Sequence, residues 1–238
     1  MIAVTFALPQ ESQDFRHLLR HASAVGPDAH RFLLGNLGEE EILLAHTGVG
    51  PAAAAASVAA LLAFRRPRLL ISTGFAGGLD PDLIAGDLLI ATNVSAPALV
   101  AQNRALLAGD PRAHFGALTS QPSAAESVAE KAALARSTGA LGVDMETAAI
   151  AAACARVGVP LLAVRAISDS ALTPLPVPFA EWFDLAAQRP RPLALVNYLA
   201  HHPAQIGPFS RFLRDLTPAR HAFTRFVTGF LAHTSARP

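Results

Sequence analysis

Residues 142–171, GVDMETAAIAAACARVGVPLLAVRAISDSA, constrain the fold more tightly than any other stretch of the chain. A short strand ends, Glu146 opens an alanine-rich helix, and a second strand, Pro160 to Ile167, delivers Ser168 and Asp169 at its C-terminal end. In a parallel sheet both strand ends lie on one rim, where open α/β folds place their ligands. Met145, Glu146, Arg165, Ser168 and Asp169 then converge on one cleft. Two carboxylates, an arginine and a serine in that setting suit holding a sugar's hydroxyls while a leaving base is protonated.

The rest of the chain repeats the alternation. Ile2 to Leu8 reads as a strand, Gln10 to His21 as a helix with Phe15, Leu18 and Leu19 on one face, and 31–37 with 41–46 as a hairpin through Gly38. Pro51 to Phe64 reads as a helix, and 68–73, 87–94 and 113–119 as strands. Ala124 to Arg136 follows as a helix, with a proline-rich loop from Thr173 to Pro178. Strands alternating with helices of this length imply a three-layer α/β/α fold around a mixed, largely parallel twisted sheet. No linker or repeat forces a boundary within the 238 residues, so the expectation is a single domain, 1–238, with 189–238 as a basic helical C-terminal extension.

Composition narrows the function classes. A net charge of +1 implies no nucleic-acid partner, although seven arginines and a single acid, Asp215, follow position 188. The single cysteine, Cys154, lies in the apolar helix after Glu146 and reads as a small core hydrophobe. The first residues read as a strand and not as a signal peptide, so a cytoplasmic location is expected. Residues 42–64 lack acids, lysine and arginine, but Gly48, Gly50 and Pro51 interrupt them, and strand, turn and helix explain them better than a membrane span. His17 and His21 have the spacing of two metal ligands on a helix, yet no third ligand accompanies them, and no metal is expected.

Three further segments bear on chemistry. In HTGVGPAAAA, residues 46–55, Gly48 and Gly50 make a turn into a helix whose free N–H groups face outward. That turn is either a contact to phosphate or sugar or an ordinary strand-to-helix connection. In ISTGFAGGLDPDLIAGDLLIAT, residues 71–92, Ser72, Thr73, Gly74 and Phe75 lead a small-residue turn that allows close approach of a ligand or close packing. Glu11 stands just past the first strand, and so on the same rim.

As an ordered set, Glu11, HTGVGPAAAA, STGFAGGL with GDLLIA, VDMETAAIA and VRAISD resemble the nucleoside phosphorylase and nucleosidase superfamily, over Ile2 to about Ala171. The resemblance implies that Glu146 holds the ribose hydroxyls, that Met145 packs beneath the sugar, and that Arg165 sits behind Glu146 and steadies it. Thr73, Gly74 and Phe75 would line the nucleoside, with Gly48, Gly50 and Ser72 near the phosphate or water. Asp169, supported by Ser168, would protonate or hydrogen-bond the purine's imidazole nitrogen; to act as the acid it would need burial to raise its proton affinity. Glu11 would orient an attacking water or lie beside another nucleophile. No metal or organic cofactor is implied, with inorganic phosphate as the candidate co-substrate and a homo-oligomer as the expected assembly.

Two departures stand out. Ser72 and Phe75 occupy positions where hexameric phosphorylases carry phosphate-binding arginine and serine, and Ser120-Gln121-Pro122 replaces the nucleosidases' serine-glycine-aspartate. Within the superfamily, FALPQE, VDMET and the tail from Leu175 are most similar to the proteins associated with hopanoid biosynthesis, which implies phosphorolytic release of adenine from adenosylhopane. Hydrolysis of methylthioadenosine, adenosylhomocysteine or futalosine is the alternative, and a non-catalytic nucleoside or lipid sensor a third. Residues 206–233 mix five phenylalanines with four arginines. They either contact the inner membrane peripherally or pack on the core or a subunit interface.

Overall fold

The computed structural model describes residues 1–235. Strands β1 (Ile2–Phe6), β2 (Arg20–Val25), β3 (Phe32–Leu37), β4 (Glu40–His46), β5 (Leu70–Ser72), β6 (Phe75–Gly78), β7 (Leu88–Ala91), β8 (Ala113–Gly116), β9 (Leu118–Ser120), β10 (Gly142–Asp144) and β11 (Leu161–Asp169) join in one eleven-stranded sheet. Its order is β2-β3-β4-β1-β5-β11-β6-β10-β9, with β7 pairing β11 and β8 pairing β7. β1 runs parallel to β4 and β5, and β11 runs parallel to β5 and β6, which puts their carboxyl ends on one side. The hairpin partners β2 and β3, and the pairs β7–β11 and β6–β10, are antiparallel, so the sheet is mixed but largely parallel.

Both faces are covered, which explains why β1 and β11 are buried almost throughout and mostly apolar, interrupted by Thr5 in β1 and by Arg165 before the polar end of β11. Helices α2 (Pro51–Phe64) and α5 (Thr147–Val157) cover one face, with Val58, Leu61, Ile150 and Cys154 on Leu43, Leu70 and Ala163. On the other face lie α1 (Gln13–Arg16), α3 (Pro97–Leu106) and α8 (Ile206–Ser235). Helix α4 (Val128–Thr138) packs Leu134 and Ala135 against Leu79 and Val143. Between β11 and α8 come α6 (Phe179–Trp182), a small hairpin pairing Phe183–Asp184 with Arg189–Pro190, and α7 (Pro192–His201).

The C-terminal segment is not an appendage. Phe223, Phe226 and Phe230 sit in the core with Val4, Phe6 and Ile71, Phe209 is buried, and Phe212 faces the cleft described below. Four of the five phenylalanines therefore pack inward, and α8 belongs to the layer that covers this face of the sheet. Among the described residues no helix is long and apolar enough to cross a membrane.

Local signals failed in three places. The helix expected over 10–21 shrinks to α1, because from Arg20 the chain pairs with β3 as an edge strand; Phe15 and Leu19 reach the core regardless. That removes the shared helical face of His17 and His21, and among the described residues no three His, Cys, Asp or Glu side chains gather as metal ligands. The strand expected over 113–119 is two, β8 and β9, paired to different neighbours. The small-residue turn after Gly74 contains β6, held by β10 and β11 on its two sides despite low intrinsic strand preference.

Candidate active site

A cavity of about 410 Å³ opens beyond the carboxyl ends of β1, β5, β10 and β11. Glu11, Thr73, Gly74, Phe75, Met145, Glu146, Arg165, Ser168 and Asp169 all line it. Ser72, Gly48 and Gly50 do not. The residues of the 142–171 block thus share one site with Glu11, as the rim argument required.

The floor is a buried ion pair. Arg165, 2% exposed, donates from Nε to Asp144 Oδ2 at 2.9 Å, and from Nη1 and Nη2 to the Ser72 carbonyl and Ser72 Oγ, both at 3.0 Å. Its remaining donors reach Thr147 Oγ1 at 2.6 Å and the Val164 carbonyl at 2.9 Å. Asp144 also accepts from Ser120 Oγ at 2.5 Å and from the N–H and hydroxyl of Thr147. Asp144 therefore caps α5, and Glu146, at the cap position, makes no side-chain cap bond. Arg165 hydrogen-bonds Asp144 and Ser72 and none of its hydrogen bonds goes to Glu146, on which it acts through its charge alone. The same arrangement accounts for Ser120, whose hydroxyl ties the β9 end to Asp144 and to the N–H of Ala148.

Glu146 instead turns into the cavity, where Oε1 accepts the Gly50 N–H at 2.7 Å. Burial, reinforced by the neighbouring Asp144 charge, pushes its carboxyl up to about 7, against the pull of the Gly50 hydrogen bond and of Arg165. Glu11 is pushed further, to about 8, first by burial and then by the Glu146 charge. The Ala7 N–H donates to Glu11 Oε2 at 3.1 Å. Gly74, at φ +150°, lets the β5–β6 turn lie against that oxygen, since a Cβ there would stand 3.1 Å from it. The turn carrying Glu11 is pinned by Ser12 Oγ, 2.8 Å from His46 Nε2; burial, and then the charge of Arg16, lower that imidazole to about 4.

At the other end, Ser168 Oγ donates to Asp169 Oδ1 at 2.5 Å. No helix follows Asp169, so it is not a cap. Lys131 of α4, fully buried, donates from Nζ to Asp169 Oδ2. Asp144, Lys131 and Gln188 were missed in the sequence. The available signal for Lys131 was its being the one lysine of the chain.

The positions assigned to phosphate or water make hydrogen bonds or close contacts within the chain. Ser72 is fully buried with its hydroxyl accepting from Arg165. The Gly50 N–H serves Glu146, and Gln188 Oε1 accepts the Val49 N–H at 2.7 Å while lying against Gly48. The cavity's far walls are apolar, built from Phe179, Trp182 and Phe183 on one side and Phe212, Leu213 and Leu216 of α8 on the other.

A cleft past parallel strand ends, lined by Glu11, Glu146 and Asp169, fits an α/β enzyme of the nucleoside-cleaving kind. The chain belongs to the phosphorylase superfamily, whose family model matches residues 1–99 and 94–195. It is 27% identical over 214 residues to the 5′-methylthioadenosine/S-adenosylhomocysteine nucleosidase of Staphylococcus aureus (strain bovine RF122 / ET3-1), covering 79% of this chain and 94% of that protein. The fold is that of S-adenosylhomocysteine nucleosidase from Streptococcus pyogenes, solved with 5-methylthiotubericidin, at a TM-score of 0.73 and 21% identity over 97% of this chain and 95% of that one. Futalosine hydrolase of Helicobacter pylori strain 26695 shares it at a TM-score of 0.71 and 18% identity, covering 98% and 97%.

Proposed function

We propose that this protein hydrolyses the N-glycosidic bond of an adenosine-type purine nucleoside whose 5′ position carries an apolar group. The observation that carries the reading is Glu11: a buried carboxyl with raised proton affinity, beside Glu146, in a cavity whose phosphate-type positions are closed by Arg165, Glu146 and Gln188. As the C1′–N9 bond breaks, its electron pair moves to the base, which takes a proton at the Asp169 end. Water adds to C1′ and gives its proton to Glu11. Glu146 accepts hydrogen bonds from the ribose hydroxyls and faces the positive charge that develops on the sugar. Interactions that strengthen with that charge favour the transition state over the bound substrate. The curated relatives, named as nucleosidases, support hydrolysis over phosphorolysis.

Release of adenine from 5′-methylthioadenosine is the direct test. The expected result is a rate unchanged by millimolar phosphate, with a free sugar as co-product. Phosphate-dependent formation of a sugar 1-phosphate would overturn the hydrolytic reading.

The apolar walls extend the reading to larger 5′ groups, adenosylhopane among them. Each methylene buried there contributes about 0.8 kcal/mol. Leu213 stands 49% exposed on α8 and lines the cavity, so its replacement leaves the core intact. Leu213→Asp is expected to raise KM at least tenfold for a 5′-hexylthio-adenosine and to leave adenosine unaffected. Equal effects on both nucleosides would place the 5′ group elsewhere.

A further inference from the structure

Lys131 is the one lysine among 19 basic residues, and it is also among the largest fully buried side chains. A capping box formed by Ser127 and Glu130 fixes the first turn of α4 and aims the next residue, Lys131, under the base end of the cavity. Its three donors are all used: one on Asp169 Oδ2, one on the Ser170 carbonyl at 2.8 Å and one on the Thr173 carbonyl at 2.7 Å. Taking an ammonium out of water costs several kcal/mol, which needs a carboxylate partner to offset it. Anchoring two carbonyls and a carboxylate would suit a guanidinium equally well, and the chain uses arginine at every other basic position. What arginine cannot do is release a proton.

We propose that Lys131 is a positioning residue that completes the acid of this site, so that the Lys131–Asp169 pair, holding one labile proton, supplies the leaving base. This rests on the cleavage reading above. The balance is simple. When the C1′–N9 pair moves onto the base, the imidazole nitrogen takes a proton from the Asp169 carboxyl as the Nζ proton passes to that carboxyl. The pair is left as amine and carboxylate and the base leaves neutral. The proton that water gave to Glu11 returns to the pair through solvent after the base departs.

The charged neighbours are few. Glu130 accepts the N–H groups of Glu126 and Ser127, and Glu126 accepts that of Phe179. Arg136 stands at the far end of α4, Arg165 and Asp144 are committed to each other, and Glu11 and Glu146 lie on the cavity wall. Strand β6 and the loop over 170–178 carry no charged side chain.

Lys131→Arg, Lys131→Met and Asp169→Asn, alone and combined, would be compared from pH 5 to 10 with 5′-methylthioadenosine as probe. Lys131→Arg keeps charge and donors. It is expected to keep KM within threefold, lose at least thirtyfold in kcat and move the alkaline limb of kcat by one pH unit or more. Lys131→Met should cost little further activity in the Asp169→Asn background. An arginine variant with the kcat and limb of the unsubstituted protein would reduce Lys131 to an anchor and overturn the proposal. Should the unsubstituted protein not cleave the probe, the cleavage reading fails separately. Calorimetric binding of adenine over the same pH range then decides: an alkaline loss of affinity at the same pH in both proteins overturns the pair.

Discussion

Replacing Glu11 with glutamine is expected to remove activity and, at alkaline pH, to stabilise the protein. A positioned proton acceptor contributes about 10²- to 10⁴-fold to a rate, and glutamine cannot accept the proton of the attacking water. The unsubstituted protein should lose kcat/KM as pH falls through about 8, where Glu11 takes up its proton. The stability effect follows from the same shift. In the unfolded chain this carboxyl ionises at an ordinary 4.5, whereas burial and the Glu146 charge hold it protonated up to about 8 when folded. The folded state therefore binds the extra proton between those values, and its stability declines as pH rises through that window. Glutamine preserves the shape and the Ala7 N–H contact while removing the titration. Glu11→Gln should match the unsubstituted protein below pH 4.5 and exceed it at pH 9 by a few kcal/mol, roughly 5 °C or more in Tm. A variant that melts lower at pH 9 by as much as at pH 5 would show that the Glu11 carboxylate is not held against its charge.

Arg165→Met should be among the most damaging substitutions to folding. It leaves Asp144, 6% exposed, without a countercharge and strips donors from the Ser72 and Val164 carbonyls. Breaking one partner out of a buried pair costs about 3–5 kcal/mol, and a Tm fall of roughly 10 °C follows for a chain of this size. Asp144→Asn combined with Arg165→Met should recover part of that loss, because no unpaired charge remains. Arg165→Met alone should also bind nucleoside poorly, since the positive charge that lowers the Glu146 carboxyl is gone while Asp144 still raises it. Stability within about 1 kcal/mol of the parent would mean that Asp144 finds water, and that the pair is not sealed as described.

Much of this was legible in the chain because strand ends and helix starts are local events. Pro51 with Gly50 marks the start of α2, and the run from 161 reads as a buried strand, so the convergence of Glu146, Ser168 and Asp169 follows from topology alone. The partners of those residues did not follow. VDMET contains Asp144 and Glu146 two positions apart, but the strand ends between them: Asp144 closes β10 and accepts from Arg165, whereas Glu146, at the start of α5, turns into the cavity. Nothing local distinguishes the two carboxylates. Gln188 reaches Val49 across 139 positions, and the β2 edge strand forms only because β3 is there to receive it.

The order of glycine turns, carboxylates and apolar strands was thus enough to determine the layered α/β architecture and the rim on which Glu11, Glu146 and Asp169 meet. The tertiary structure decided what each of them is able to do. A carboxyl's chemistry depends on whether water, a neighbouring charge or a donor stands beside it, and those neighbours come from distant segments. Burial beside Glu146 raises Glu11, the 48–50 turn bonds to Glu146 and Gln188, and the α4 lysine closes on Asp169. Proximity in space, which one-dimensional order does not encode, sets the proton affinities of this site.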